Sequence, residues 1–301
     1  MKRFTLAALA ALAFVLPATA HADPNATSGS LTMTSDPGDW LGGGAAYAFA
    51  TPDSSFLMHG DALDYDGNYV NVYVTGAGGE WWSLSFQAPT GQTLTSGVTY
   101  DGAIRGIQSA PPPGASPRMD IYGDYRGCNT LAGSFTVLDV AYGPYGYLQA
   151  LHLTFVEHCE GGAPALRGEL DVTGPAGPPA QAVSVTVDPS GVAQRPGGGA
   201  AVHGTITCAV PTDAWFSVSA TQQTKKGTAS GSASVEVATC GPTPQSWSAT
   251  VPPSGTAFVA GPAQVEAFAN VLDDWYTQYL GHNPVYATDD ASTIVTLKQP
   301  R

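Results

Sequence analysis

The 301-residue chain reads as an all-β protein, built as two β-sandwich domains, the second Ig-like, joined by a Pro/Gly linker. Three observations predict it. Apolar residues recur with a period of two in runs punctuated by Gly, Pro, Asn and Asp, the pattern of half-buried strands between turns. The composition (36 Gly, 24 Pro, 12% charged) and the scarcity of Leu, Glu and Lys argue against helical bundles. The run Thr173-Gly-Pro-Ala-Gly-Pro-Pro-Ala180 can continue neither a helix nor a central strand and divides the chain. A hydrophobic share of 43% is too high for a disordered chain, and the glycines lack the every-third-residue period of collagen.

Taken in order, the chain opens with a secretory signal peptide at 1–22. Lys2 and Arg3 precede the apolar run Leu6 to Leu16, and Ala20-His21-Ala22 supplies a small-x-small site, with cleavage between Ala22 and Asp23. Cleavage after Ala20 is the competing choice. The apolar run is too short to span a bilayer, and no later stretch is longer, so a secreted, extracellular protein without membrane insertion is expected.

Residues 23–172 form the first domain, 173–181 the linker and 182–301 the Ig-like domain. Candidate strands in the first are Ser30–Thr34, Ala46–Ala50, Ser55–Gly60, Tyr69–Thr75, Glu80–Gln87, Arg118–Tyr122, Gly133–Tyr142, Gly146–Val156 and Leu166–Val172. Pro111-Pro112-Pro113 reads as a long loop inside that domain. The second offers Val183–Val187, Val202–Ala209, Ala214–Thr221, Gly231–Cys240, Ser246–Val251, Gln264–Leu272 and Ser292–Lys298, seven short strands in the manner of an Ig-like sandwich. Gln264–Tyr279, the one stretch with helical character, alternates Val265, Ala267, Ala269 and Val271 first and is read as a strand followed by loop.

Four cysteines, Cys128, Cys159, Cys208 and Cys240, allow three pairings. Cys128–Cys159 with Cys208–Cys240 is favoured because it keeps each bridge within one domain, and the spacing lacks the CxxC of redox or zinc motifs.

Charge narrows the partners. Residues 23–172 carry 16 acids against Arg105, Arg118, Arg126 and Arg167, whereas 173–301 carry 8 acids against 5 bases. So acidic a chain offers no surface for nucleic acid or for an anionic membrane.

Motifs of chemistry are few. There is no G-x-S-x-G elbow, no phosphate loop and no cofactor motif, so no cofactor is expected. His152 and His158 share a strand face but stand about 20 Å apart along an extended chain, too far for one metal. Asp61, Asp64 and Asp66 fail the EF-hand pattern, because Ala62 and Tyr73 fall where ligands are needed. Asp66-Gly67 is a hairpin turn instead. Gly42-Gly43-Gly44 after Trp40-Leu41 reads as a turn needing positive φ or a close backbone approach, with Trp40 a core plug behind it in preference to a second candidate binding ring.

Two sets of motifs carry a resemblance. Ser35-Asp-Pro-Gly-Asp-Trp-Leu-Gly-Gly-Gly44, Gly127-Cys-Asn-Thr-Leu-Ala-Gly-Ser-Phe-Thr-Val137, Phe155-Val-Glu-His-Cys-Glu-Gly161 and Ala165-Leu-Arg-Gly-Glu169 resemble an uncharacterised family of secreted bacterial β-domains, across nearly all of residues 29–172. Gly204-Thr-Ile-Thr-Cys208, Cys240, Trp247 and Gly261-Pro-Ala-Gln-Val265 resemble an Ig-like family of unknown function from secreted actinobacterial proteins. The resemblance implies fold, secretion and disulfides, and no activity.

The sharpest functional pattern lies in two neighbouring strands. Trp82, Leu84 and Phe86 take one face of Glu80–Phe86, leaving Trp81, Ser83 and Ser85 on the wet face. Val70, Val72 and Val74 leave Tyr69, Asn71 and Tyr73 outward in the preceding strand, a hairpin away across Gly76-Ala-Gly-Gly79. Trp81, Tyr69 and Tyr73 then form an aromatic strip suited to sugar rings or a partner protein. The competing expectation is that a further strand, a loop or the second domain covers it. The resulting reading is a secreted, non-catalytic binding module for a polysaccharide or a cell-surface protein. The alternatives are a small glycan-acting enzyme using Glu80 and a second carboxylate, or an apoprotein carrying a small apolar ligand in a cavity open at one end of a sandwich.

Overall fold

The computed structural model describes residues 25–60, 69–106, 116–280 and 284–299. The expected signal peptide with its Ala22/Asp23 site, the acidic stretch 61–68, the triple proline and His282 lie outside them.

The chain is all-β with one short helix. The strands are β1 (Ser28–Ser35), β2 (Ala46–Ala50), β3 (Ser55–Gly60), β4 (Tyr69–Thr75), β5 (Trp81–Gln87), β6 (Val98–Arg105), β7 (Arg118–Gly123), β8 (Arg126–Gly127), β9 (Leu131–Tyr142), β10 (Leu148–Cys159) and β11 (Leu166–Thr173). They are followed by β12 (Val183–Val185), β13 (Ser190–Ala193), β14 (Ala200–Cys208), β15 (Thr212–Thr224), β16 (Gly227–Cys240), β17 (Gln245–Val251), β18 (Gly261–Leu272), the helix α1 (Asp274–Leu280) and β19 (Tyr286–Lys298).

The first eleven strands form one sheet in the order β2-β1-β11-β10-β9-β6-β7-β5-β4-β3, with β8 beside β7. All described pairings in it are antiparallel except β6 with β7. The sheet curls until its ends nearly meet. Asn25 bridges Leu57, and the Ala26 N–H donates to the Phe56 carbonyl, so the residues just before β1 reach β3. The two-layer packing expected from the sequence is thus realised by one sheet wrapped into a nearly closed barrel. Its interior holds the predicted inward sets, Val70, Val72, Val74, Trp82, Leu84 and Phe86, with Leu31, Met119, Ile121, Phe135, Leu153 and Phe155. Gly29 lies where any Cβ would strike the Phe56 ring, so the close approach at the seam requires glycine.

The remaining strands form a second sheet with its own core. β14 pairs with β12, β13 and β17, while β19-β18-β15-β16 form the facing layer, joined to the first by β13, which runs parallel to β19. A first strand divided between two layers is an Ig-like arrangement, but two details depart from the antibody pattern. Its buried Trp247 sits on β17, donating from Nε1 to the Thr186 and Thr205 carbonyls. The bridge Cys208–Cys240 joins the ends of β14 and β16. Cys128–Cys159 is the other bridge, so the local pairing holds and no described cysteine is free.

Several expectations are corrected. The segment after β18 is a helix and not a loop: Asp273 Oδ1 accepts the Tyr276 N–H at the first turn, and Tyr276 and Tyr279, three apart, are buried together. Three strands escape the alternation pattern, β6, β13 and the two-residue β8. β6 carries a bulge at Gly102 (φ 69°), which breaks period two so that Tyr100 and Ala103 both face inward. β13 has only four residues. Trp40 is no core plug. The Asp39 carboxylate accepts the Leu41 and Gly42 N–H groups and the Ser35 hydroxyl, which buries Asp39 and Leu41 and leaves Trp40 63% exposed. The glycine turn itself stands, with Gly43 and Gly44 at φ 63° and 74°.

The linker is pinned by tyrosines. Tyr147 after β9 donates to the Pro175 carbonyl at 2.6 Å, Tyr276 to Pro178 at 2.5 Å, and Tyr279 to Met58 in the barrel at 3.2 Å. Tyr147, Tyr276 and Tyr279 form a third buried cluster, in which burial raises the phenol pKa of Tyr276 to about 12. Tyr279→Ala should release this lock. Losing about 1.4 kcal/mol of local packing is already tenfold in opening, so protease cleavage within 174–180 should rise at least about tenfold at native pH. An unchanged cleavage rate would count against the lock.

Candidate functional site

The rings sit on the outer face of β4, β5 and β7. Tyr73 lies opposite Ser83, Asn71 opposite Ser85, and Tyr122 of β7 on the other side of Ser83. Trp81 caps this face at the start of β5. Tyr73 stacks alongside it with centroids 5.9 Å apart and planes within 19°. Tyr122 and Tyr125 meet it edge-on at 5.7 and 5.8 Å. The turn after β7 fixes that geometry. Asp124 and Tyr125 both adopt left-handed φ, 47° and 64°. The Trp81 N–H donates to Asp124 Oδ1 and the Asp124 N–H to the Trp81 carbonyl, each at 3.1 Å. Gly123 is needed here, since a Cβ would strike the Trp82 ring.

The floor beside the rings is polar. Asn71 Nδ2 donates to Ser83 Oγ at 2.9 Å and to Ser85 Oγ at 2.8 Å. Both serines were expected to be wet, yet they are buried: a serine in the middle of a sheet lies below the tips of its longer neighbours Tyr73, Asn71, Tyr122 and Asp120. Burial raises the Asp120 pKa, opposed by the Arg105 guanidinium 3.8 Å away, and burial lowers that of His59, the neighbour of Asn71 across β3.

Of the three predicted site residues, Trp81 and Tyr73 come together. Tyr69 is at the far end of β4 opposite Gln87, about 13 Å of strand from Tyr73 with Asn71 between them. The sequence reading missed Tyr122 and Tyr125, the most open rings of the group at 42% and 95% exposure. The signal available was Tyr122-Gly-Asp-Tyr125, an aromatic pair flanking a turn. Its place beside Trp81 depends on β7 pairing with β5 across the intervening β6.

Elsewhere, Glu80 shares a pocket of about 450 Å³ with Asp53, Phe49 and Thr32, its carboxylate folded against the hairpin glycines Gly76 and Gly78. His152 is engaged with Glu169, Nε2 to Oε1 at 2.8 Å. No helix among the described residues is long and apolar enough to cross a membrane.

The fold and this face define a disulfide-bridged all-β protein with an aromatic cluster on the outer wall of a barrel. No family model matches the chain, and no curated protein matches it.

Proposed function

We propose that the protein is a secreted, non-catalytic binding module that recognises a polysaccharide through the Trp81 ring cluster, with a cell-surface protein as the second class of ligand. The supporting observation is the grouping of Tyr73, Tyr122 and Tyr125 around Trp81 beside the Asn71–Ser83–Ser85 hydrogen-bonding floor. Flat apolar faces next to fixed polar groups match the alternating faces and hydroxyls of sugar rings. Two disulfides accord with an oxidising compartment.

The test is a titration of the mature protein against a panel of soluble polysaccharides, followed by tryptophan fluorescence. Trp81→Ala should weaken the binding at least about tenfold with the circular dichroism spectrum unchanged, and Tyr125→Ala should weaken it less. Binding indifferent to both substitutions would remove the ring cluster from the function.

A second reading rests on the pocket shared by Asp53 and Glu80. Were the protein a glycan hydrolase using them, it would release reducing ends from a labelled oligosaccharide, and Glu80→Gln would abolish the release. No release by the unaltered protein leaves the binding reading in place.

A further inference from the structure

A second concave site lies where the linker meets the Ig-like sheet. This pocket, of about 390 Å³, is walled mainly by Pro178, Pro179, Val210, Pro211, Leu272 and Trp275. Its walls come from three segments far apart in sequence, which buried polar groups tie together. The Gln181 side chain donates to the Val210 carbonyl and accepts the Val210 N–H, both at 2.9 Å, fixing the turn before β15 to the linker. The Gln181 N–H donates to Asp273 Oδ2 at 2.7 Å, and Asp273 Oδ1 caps the first turn of α1, fixing the linker to the helix. The Tyr276 hydroxyl holds the Pro178 carbonyl. Trp275 is clamped in turn, stacked on Tyr279 at 5.6 Å and 5° and met edge-on by Tyr147 and Tyr276.

These bonds run from wall to wall, so the walls hold one another in place and little ordering entropy is left to be lost on binding. Apolar walls with a few convergent polar groups, at a junction between units, are the usual form of a small-molecule site. The charges limit what enters. Asp273 is buried in the frame, Asp274 is exposed, and no basic residue lines the pocket among the described residues. Anions meet two carboxylates and no counter-charge, which selects against them.

We propose that this junctional pocket binds a small, ring-bearing organic molecule, neutral or cationic, that packs against Trp275. The proposal is independent of the Trp81 face.

Calorimetric titration of the mature protein with 1-(aminomethyl)naphthalene and with naphthalene-1-carboxylate tests it. The amine should bind one to one and roughly tenfold tighter than the carboxylate. Val210→Phe, at a side chain that is 45% exposed and lines the pocket, fills the space without entering the core, and should weaken amine binding by at least about tenfold at an unchanged melting temperature. Asp274→Asn should bring the two affinities together, and Trp81→Ala should alter neither. The proposal is overturned by a lack of saturable amine binding, by a carboxylate that binds as tightly, or by binding that survives Val210→Phe. Amine binding lost in Trp81→Ala alone would place the ligand on the barrel and overturn it too.

Discussion

Glu157→Gln should remove a pH dependence of stability that the unaltered protein displays between about pH 4.5 and 8. Glu157 follows the inward parity of β10, so its carboxyl lies inside the barrel, fully buried beside the Cys128–Cys159 bridge. Burial, with the Asp39 carboxylate adding repulsion, pushes its pKa from 4.5 up to about 8. Oε2 stands 3.6 Å from Cys128 Sγ, and a disulfide sulfur has no proton, so any hydrogen bond there needs the protonated acid as donor. Across this window the folded chain keeps a proton that the unfolded chain releases. Stability is therefore full below the unfolded pKa and falls as pH rises, at up to about 1.4 kcal/mol per pH unit and on the order of 5 kcal/mol in all. Glutamine preserves the shape and cannot ionise. Urea unfolding at pH 5.5, 7 and 8.5 should show a falling midpoint for the unaltered protein and a much flatter one for Glu157→Gln. Parallel slopes would mean that the carboxyl is solvated in the folded state.

Removing the second bridge by Cys208→Ala/Cys240→Ala should cost about 3–4 kcal/mol, the chain-entropy value for a loop of this length, since the cysteines are 32 residues apart. β14 and β16 share no backbone hydrogen bonds, because β14 pairs with β12, β13 and β17, and β16 with β15. The bridge is the covalent tie between the two layers at that end, with both sulfurs buried in the core. Thermal unfolding of the double variant should show a transition lower by several degrees, with Trp247 fluorescence reporting it. Reducing the unaltered protein, which opens Cys128–Cys159 as well, should lower the transition at least as far. Equal melting temperatures would show that packing around Trp247 alone holds the layers together.

Strand positions were legible wherever alternation ran unbroken: β2, β3 and β4 have the predicted bounds, and the inward set of β5 lies in the core. Legibility failed where a local event broke the period. The bulge in β6 put its inward residues three apart, and α1 followed so closely on the alternating β18 that the stretch read as a strand followed by loop. The ring site was half legible for a similar reason. Trp81 and Tyr73 share a hairpin, so their contact follows from a four-residue turn and the pleat. Tyr122 and Tyr125 reach Trp81 through a pairing that skips a strand.

Residue pattern by itself settled what is local in this protein: the all-β class, most strands with their inward faces, the positive-φ turn at Gly43-Gly44, and bridges between cysteines about 30 residues apart. Each follows from steric limits and hydrophobic burial acting over a few neighbouring residues, or from the separation of two thiols. Tertiary structure alone decided that the first sheet wraps into a barrel, that Glu157 is sealed inside it, that three tyrosine rings meet at Trp81, and that the linker prolines and Trp275 enclose a pocket. Those features depend on which distant strands pair and on where the chain ends of a curled sheet meet, a choice made by the packing of the whole core.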